Sequence, residues 1–192
     1  FKYKTDNIPS LQSLDYNSRV IYLGTFSKTL LPGMRISYMV LPIKLLREYK
    51  TYFSSLIQPA NTLAMYTLNQ FIETGAYQKH VRRMNHIYEQ IRTELIQKLS
   101  ARFGEKIEII NIPAGLHFLI KIHTHKSYEQ IEKALVKQKL EMYTIRRFLL
   151  KTDTYYLQNR YLIIGFANID SEKIDEAVKR LEQALFFMKT ED

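Results

Sequence analysis

The sequence predicts an α/β protein, and three observations carry that expectation. Short apolar runs of strand length recur along the chain, at residues 20–23, 36–41, 107–110, 116–122 and 161–164. Between residues 60 and 101 the apolar spacing changes to three and four, the period of an amphipathic helix. In the second half the two patterns alternate, which describes an α/β or α+β module of about 90 residues.

The elements follow in order. Residues 7–14, with Pro9, Ser10 and Ser13, are too polar and interrupted for a core element and read as a surface connection. Val20, Ile21, Tyr22 and Leu23 form a β-branched and aromatic run closed by Gly24, read as a buried strand. Residues 36–41 make a second strand, stopped by Pro42. Leu63, Thr67, Leu68 and Phe71 then share a helix face, with Gly75 placed to end that helix. A longer helix follows, its stripe running Val81, Met84, Ile87, Tyr88, Ile91, Leu95, Leu99, long enough to join two domains. Strands at 107–110 and 116–122, a helical segment at 128–140 and a strand at 161–164 come next. The last helix carries Ile174, Val178, Leu181, Leu185 and Met188 on one stripe, with Asp170 or Ser171 as its N-cap.

Composition bounds the function. The 192 residues allow one full domain or two small ones, and 46% hydrophobic residues, including 14 Tyr and 10 Phe, supply a core and exclude wholesale disorder. No apolar run reaches the roughly 18 to 20 residues of a membrane span, and the chain opens on Phe1-Lys2-Tyr3-Lys4 without the apolar stretch of a signal peptide. The expectation is a soluble, cytoplasmic protein. The absence of cysteine excludes disulfides, thiolate metal sites and cysteine nucleophiles. The net charge of +9 invites a nucleic-acid reading, but the basic residues are spread along the chain with no block of five or six like charges. Solvated helix surface accounts for most of it.

The segment richest in chemistry is Gly24-Thr25-Phe26-Ser27-Lys28-Thr29-Leu30-Leu31-Pro32-Gly33-Met34-Arg35, between the first two strands. A phosphate-binding Walker loop needs glycine directly before the lysine, and Ser27 stands there. A Ser-x-x-Lys acylating site needs serine at position 25, which is Thr25. A third reading uses all the polar groups. A lysine can condense with an aldehyde as a Schiff base, while hydroxyls and a forked arginine take the phosphate of the same cofactor. Pro32 and Gly33 would shape the turn that returns Arg35 to Lys28. On spacing alone, a cofactor loop and an ordinary surface loop both remain open.

Residues 20–28 followed by Leu31-Pro32-Gly33-Met34-Arg35-Ile36-Ser37-Tyr38 closely resemble the lysine segment of fold-type I pyridoxal 5'-phosphate (PLP) proteins, the aspartate aminotransferase superfamily. The resemblance implies that Lys28 carries the Schiff base, that Arg35 binds the cofactor phosphate and that Thr25 adds a hydroxyl to it. Arg160-Tyr161-Leu162-Ile163-Ile164-Gly165-Phe166-Ala167 looks like the strand opening with the arginine that holds an effector or substrate carboxylate, a role this assigns to Arg160. The resemblance covers the C-terminal half of that fold. Residues 1–80 then correspond to the remainder of the PLP-binding large domain, and residues 81–192 to an interdomain helix and small C-terminal α/β domain. The ring-stacking aromatic, the phosphate-cradling glycine loop and the aspartate facing the pyridine nitrogen do not occur ahead of Lys28. The chain is therefore expected to be a fragment with an incomplete PLP site, binding PLP weakly and turning nothing over by itself.

Two branches of the superfamily resemble the chain. One comprises aminotransferases of the 2-aminoadipate or aromatic type. The other comprises the MocR/GabR-type regulators of the GntR family, in which an N-terminal winged-helix DNA-binding domain precedes an aminotransferase-like domain that senses an amino compound. Ala114-Gly115-Leu116-His117 leans toward the regulators. The expected partners are an amino-acid-like effector or substrate and a second subunit of a homodimer, with DNA reached only through an absent N-terminal domain and no membrane. No metal site is expected. His123 and His125 would share a face on a strand but lack a third ligand, and His117 reads as a packing or hydrogen-bonding residue near a domain interface. Tyr155 and Tyr156 read as core and rim.

Overall fold

The computed structural model describes residues 1–3, 8–56, 60–110, 112–150 and 154–187. The chain divides into two compact units, Thr5–Arg83 in one and Met84–Asp192 with Phe1–Lys4 in the other.

The first unit begins with an exposed 3-10 turn, Gln12–Leu14. Asp15 follows, and its carboxylate accepts from the backbone N–H groups of Asn17 at 2.9 Å, Arg19 at 2.6 Å and Val20 at 2.7 Å. Those donors, Val20 foremost, hold the Asp15 carboxyl below the usual carboxylate range. The turn delivers the chain into β1 (Tyr22–Thr25), which pairs antiparallel with β2 (Ser37–Val40) in the register Tyr22↔Val40 to Thr25↔Ser37.

Strand β1 lies two residues later than the apolar run suggested, takes Gly24 inside it, and leaves Tyr22, Leu23 and Thr25 exposed. Two reasons account for this. Pairing within a hairpin is set by the cross-strand register, and a two-stranded ribbon buries neither face by itself.

Helix α1 (Ile43–Phe53) was not anticipated, because Pro42 read as a strand stop when it is in fact the N-cap. The spacing was nonetheless present in Leu45, Leu46, Tyr49 and Phe53, and the Tyr49 and Phe53 rings stack at 5.4 Å. Helix α2 (Thr62–Glu73) is capped by Asn61, whose side chain accepts from the Ala64 N–H at 3.0 Å, and it buries Leu68. Gly75, at φ +74°, ends it as expected. Helix α3 (Ala76–Phe103) starts immediately, five residues ahead of the apolar stripe that announced it, and the unit boundary falls within it.

The second unit is a four-stranded antiparallel sheet, β3 (Ile107–Ile110), β4 (His117–Ile122), β5 (Tyr143–Thr144) and β6 (Arg160–Gly165), in the order β3-β4-β6-β5. Alternation decides its inner face. Phe118, Ile120 and Ile122 of β4 are buried, and Phe118 and Ile120 face Ile164 and Leu162 of β6 across the register. Leu95, Leu99 and Phe103 of α3, Ile131 and Leu135 of α4 (Tyr128–Lys137), and Ile174, Val178, Leu181 and Leu185 of α6 (Ile174–Phe186) complete the same buried cluster. Ile120, Leu162 and Ile174 have no exposed surface, so each contributes about 1.5–3 kcal/mol of burial free energy.

Ser127 and Gln130 form a reciprocal capping box at α4. The N-cap of α6 is neither Asp170 nor Ser171 but Lys173, without a side-chain bond, because a 3-10 turn (Ser171–Lys173) intervenes, and Asp170 caps that turn by accepting from the Glu172 N–H. Two short elements escaped the sequence reading, β5 and the five-residue helix α5 (Thr154–Gln158), each too short to show a period.

The first residues are tied to this second unit. Tyr3 is buried, its N–H donates to the Pro113 carbonyl at 3.0 Å, and its hydroxyl donates to the Gly115 carbonyl at 2.6 Å. The Arg92 guanidinium lies 5.3 Å from the centre of its ring. Burial pushes the Tyr3 hydroxyl up to about 12.

Candidate cofactor site

Because Thr25 and Ser37 are the last register pair of the hairpin, the connection between β1 and β2 leaves and returns at one end. Lys28 stands three residues beyond Thr25, and Arg35 two residues before Ser37. The connection is built by local bonds. The Phe26 N–H donates to the Ile36 carbonyl at 3.1 Å, extending the ladder one step, and the Phe26 carbonyl accepts from the amides of Thr29 and Leu30 at 3.2 and 2.8 Å. Lys28 therefore lies within a single tight turn. Thr25 Oγ1 accepts from the Ser27 N–H at 3.2 Å and lies 3.1 Å from Ser27 Oγ, which brings two hydroxyls together beside that turn. Ile36 is buried and anchors the far limb, whereas Thr25, Lys28 and Arg35 are exposed.

Pro32 and Gly33 do belong to the return turn, as the sequence suggested. Pro32–Met34 forms a 3-10 turn, but the residue in the left-handed conformation is Arg35, at φ 51° and ψ 38°, not Gly33. A side chain there costs about 1 kcal/mol or more against glycine. Ser18 and Lys139 also have positive φ, at 56° each, so this backbone conformation is not peculiar to Arg35.

Gly24 has a separate reason. A Cβ built on it would fall 2.2 Å from Cζ of Tyr38, its cross-strand partner, so the Tyr38 ring occupies the space a side chain would fill. Tyr38 packs against Phe26 at 5.4 Å between ring centres, and burial pushes its hydroxyl up from its ordinary value. Tyr38 was given no role from sequence, and Ser27 none beyond being one of the hydroxyls of the segment. The signal for Tyr38 was the small residue that pairing sets opposite it, and pairing is not visible in a linear reading.

Arg160 belongs to the second unit. It opens β6, half-buried, with Nε donating to the Lys126 carbonyl at 2.9 Å and the guanidinium 5.0 Å from the centre of the Tyr128 ring. The Tyr128 hydroxyl lies 2.7 Å from the Asn159 carbonyl, so this group of contacts organises the start of the strand. Thr25, Lys28 and Arg35 thus belong to one hairpin and its connection, and Arg160 to a different element.

His117 is exposed at the first position of β4. His123 and His125 lie beyond the end of β4, so they do not alternate on a strand. Both are exposed beside Lys126, Lys133 and Lys137 in a groove of about 1140 Å³. Among the described residues no three His, Asp or Glu side chains gather as metal ligands, and no helix is long and apolar enough to cross a membrane.

Between Gly24 and Ser37 there is no carboxylate. The functional groups at the hairpin end are a primary amine, hydroxyls and a guanidinium, a set suited to a ligand carrying both a carbonyl and a phosphate. Residues 3–181 match the model of the aminotransferase class I and II family, and the chain belongs to that family. It is 33% identical over 96% of its length to the uncharacterized HTH-type transcriptional regulator YhdI of Bacillus subtilis, of which it spans 38%. To the probable rhizopine catabolism regulatory protein MocR of Rhizobium meliloti it is 25% identical over 99% of its length, again spanning 38% of that protein. Among solved structures, the kynurenine aminotransferase of Pyrococcus horikoshii, crystallised in complex with PMP, matches 95% of this chain and 44% of its own. The TM-score is 0.80 at 22% identity. The chain therefore spans less than half the length of the proteins it resembles.

Proposed function

We propose that this chain is part of the PLP-binding, effector-sensing aminotransferase-like domain of a MocR-type HTH transcriptional regulator, homodimeric and cytoplasmic in its intact form. The observation that carries the reading is the hairpin end, where the amine of Lys28, the hydroxyls of Thr25 and Ser27 and the strained Arg35 occupy one connection. The likeness to YhdI and MocR supports a regulator over an enzyme. When bound, PLP supplies an aldehyde that condenses reversibly with a primary amine. Lys28 provides that amine from a turn whose backbone is held at both ends. Arg35 offers the phosphate two parallel charge-assisted hydrogen bonds, and Thr25 and Ser27 add neutral donors.

Arg160 is assigned to the effector carboxylate by the likeness of its strand alone. Its bond to the Lys126 carbonyl and its place on Tyr128 support a second duty, holding the start of β6. DNA contact is assigned to a domain outside this chain. Effector binding then biases the DNA-bound state only by its difference in affinity between two conformations.

The test uses the intact protein. Adding PLP to the wild type produces a yellow absorption band that Lys28→Ala does not form, and the same variant loses its effector-dependent reporter response in cells. A colourless wild type, or a reporter response that survives Lys28→Ala, overturns the reading. Steady conversion of an amino acid and a keto acid by the wild type makes it an aminotransferase instead.

A further inference from the structure

The first two turns of α3 carry Tyr77 and His80, three residues apart and so on one side of the helix. Both reach Thr29, the residue that follows Lys28. Tyr77 Oη donates to Thr29 Oγ1 at 3.1 Å, and the Thr29 hydroxyl donates onward to the Phe26 carbonyl at 3.4 Å. His80 Nε2 lies 2.9 Å from the Thr29 carbonyl oxygen, an acceptor, which makes Nε2 the protonated nitrogen. The Phe26 ring stands edge-on to Tyr77 at 5.8 Å. Phe71 of α2 braces the other side, 6.4 Å from Tyr77 and 6.2 Å from His80. Thr29, Tyr77 and His80 are all half-buried, so water competes less for these bonds than at the exposed Lys28.

We propose that Tyr77 and His80 are positioning residues for Lys28, latching the turn that carries it to the first turns of α3 through the hydroxyl and carbonyl of Thr29. The proposal rests on Lys28 being the cofactor lysine. A lysine side chain has four rotatable bonds, and its amine meets a bound carbonyl usefully only if the backbone it hangs from stays put. Within the turn the Thr29 and Leu30 amides and the Thr29 hydroxyl converge on the Phe26 carbonyl, and the Ser27 N–H bonds Thr25 Oγ1, which together fix the turn's shape. The contacts from Tyr77 and His80 fix where the turn points. Packing of α3 against the hairpin needs only the rings, which Phe at 77 and Leu at 80 would largely preserve. Polar and apolar replacements therefore separate positioning from packing.

The experiment compares Tyr77→Phe, His80→Leu and His80→Gln with the wild type in the intact protein, by two readouts. Without cofactor, amide exchange of residues 26–30 is measured against that of β4 and β6. Loss of one such bond speeds exchange in the turn by roughly 2- to 12-fold and leaves the distant strands unchanged. With PLP added, the yellow band forms more slowly in Tyr77→Phe and His80→Leu by a similar factor. His80→Gln, which keeps a donor, restores both readouts toward wild type. Exchange in the turn that does not change, exchange that rises equally in all strands, or band formation at the wild-type rate in both apolar variants each overturns the proposal. A wild type that forms no band refutes the cofactor reading of Lys28 itself, a result distinct from these three.

Discussion

Gly24→Ala tests whether the hairpin under Lys28 has the tight cross-strand fit described. The new Cβ would fall 2.2 Å from Cζ, 2.5 Å from Oη and 2.6 Å from Cε1 of Tyr38. Carbon atoms pack best about 3.5–4.0 Å apart, so the ring must retreat by roughly 1.5 Å. Tyr38 is 44% exposed and its clashing atoms are at the free end of the side chain, so the ring swings outward and the strand stays in place. The movement breaks the contacts of Tyr38 with Phe26 at 5.4 Å and Tyr22 at 6.1 Å. Overpacking of this kind costs about 1–3 kcal/mol, and the stiffer unfolded chain of alanine returns about 0.4–1 kcal/mol of that. The net cost is about 1–2 kcal/mol, which appears as roughly 5- to 30-fold faster amide exchange within β1 and β2 of the intact protein. In a Tyr38→Ala background the clash has no partner, so the same substitution costs little, and the coupling between the two sites exceeds about 1 kcal/mol. Unchanged exchange in Gly24→Ala, or an equal change with and without the Tyr38 ring, would refute the fit.

Three further expectations follow from other parts of the molecule. Arg35→Gly relieves the left-handed strain and leaves the stability of the turn within about 1 kcal/mol of wild type. It nevertheless weakens PLP binding severalfold in a spectrophotometric titration; affinity equal to wild type would remove Arg35 from the site. Leu162→Ala, at a position with no exposure in the centre of the sheet, costs about 3–5 kcal/mol and is read as faster exchange of the β4 and β6 amides; a cost below about 1 kcal/mol contradicts the packing described. Asp170 is held below its ordinary value of 3.8 by the Lys173 ammonium first and the Glu172 N–H second. Its folded pKa is lowered, so its contribution is complete above 3.8 and is lost as pH falls through the folded value. The difference in stability between wild type and Asp170→Asn should therefore shrink on acidification below 3.8, and a difference that does not vary with pH would sink the assignment.

How much was legible in the sequence differs between the two units. In the second unit, strands β3, β4 and β6 and helices α4 and α6 fell where their apolar periods indicated, because each buries one face in a shared core and burial is what the period records. In the first unit the same method misplaced β1 and missed α1. Leu23, Ile43 and Leu63 are apolar yet exposed in this chain, so their spacing does not report a core formed here. The chemistry of the site was legible as a string of residue types around Lys28 and Arg35. Its mechanical support was not, since Tyr38, Tyr77 and His80 stand 10, 49 and 52 positions beyond Lys28.

The sequence by itself determined the family and the α/β alternation of the second half, and it displayed the lysine, hydroxyls and arginine on which the proposed cofactor reading rests. Those properties depend on residue type and local spacing, which a linear chain displays. Only the tertiary structure decided that Arg35 and not Gly33 takes the left-handed conformation, that Gly24 makes room for Tyr38, and that Tyr77 and His80 hold Thr29. The last two depend on which residues apart in the chain are brought within hydrogen-bond or van der Waals reach, and that is set by strand register and helix placement; the first is a backbone choice that residue type alone does not display.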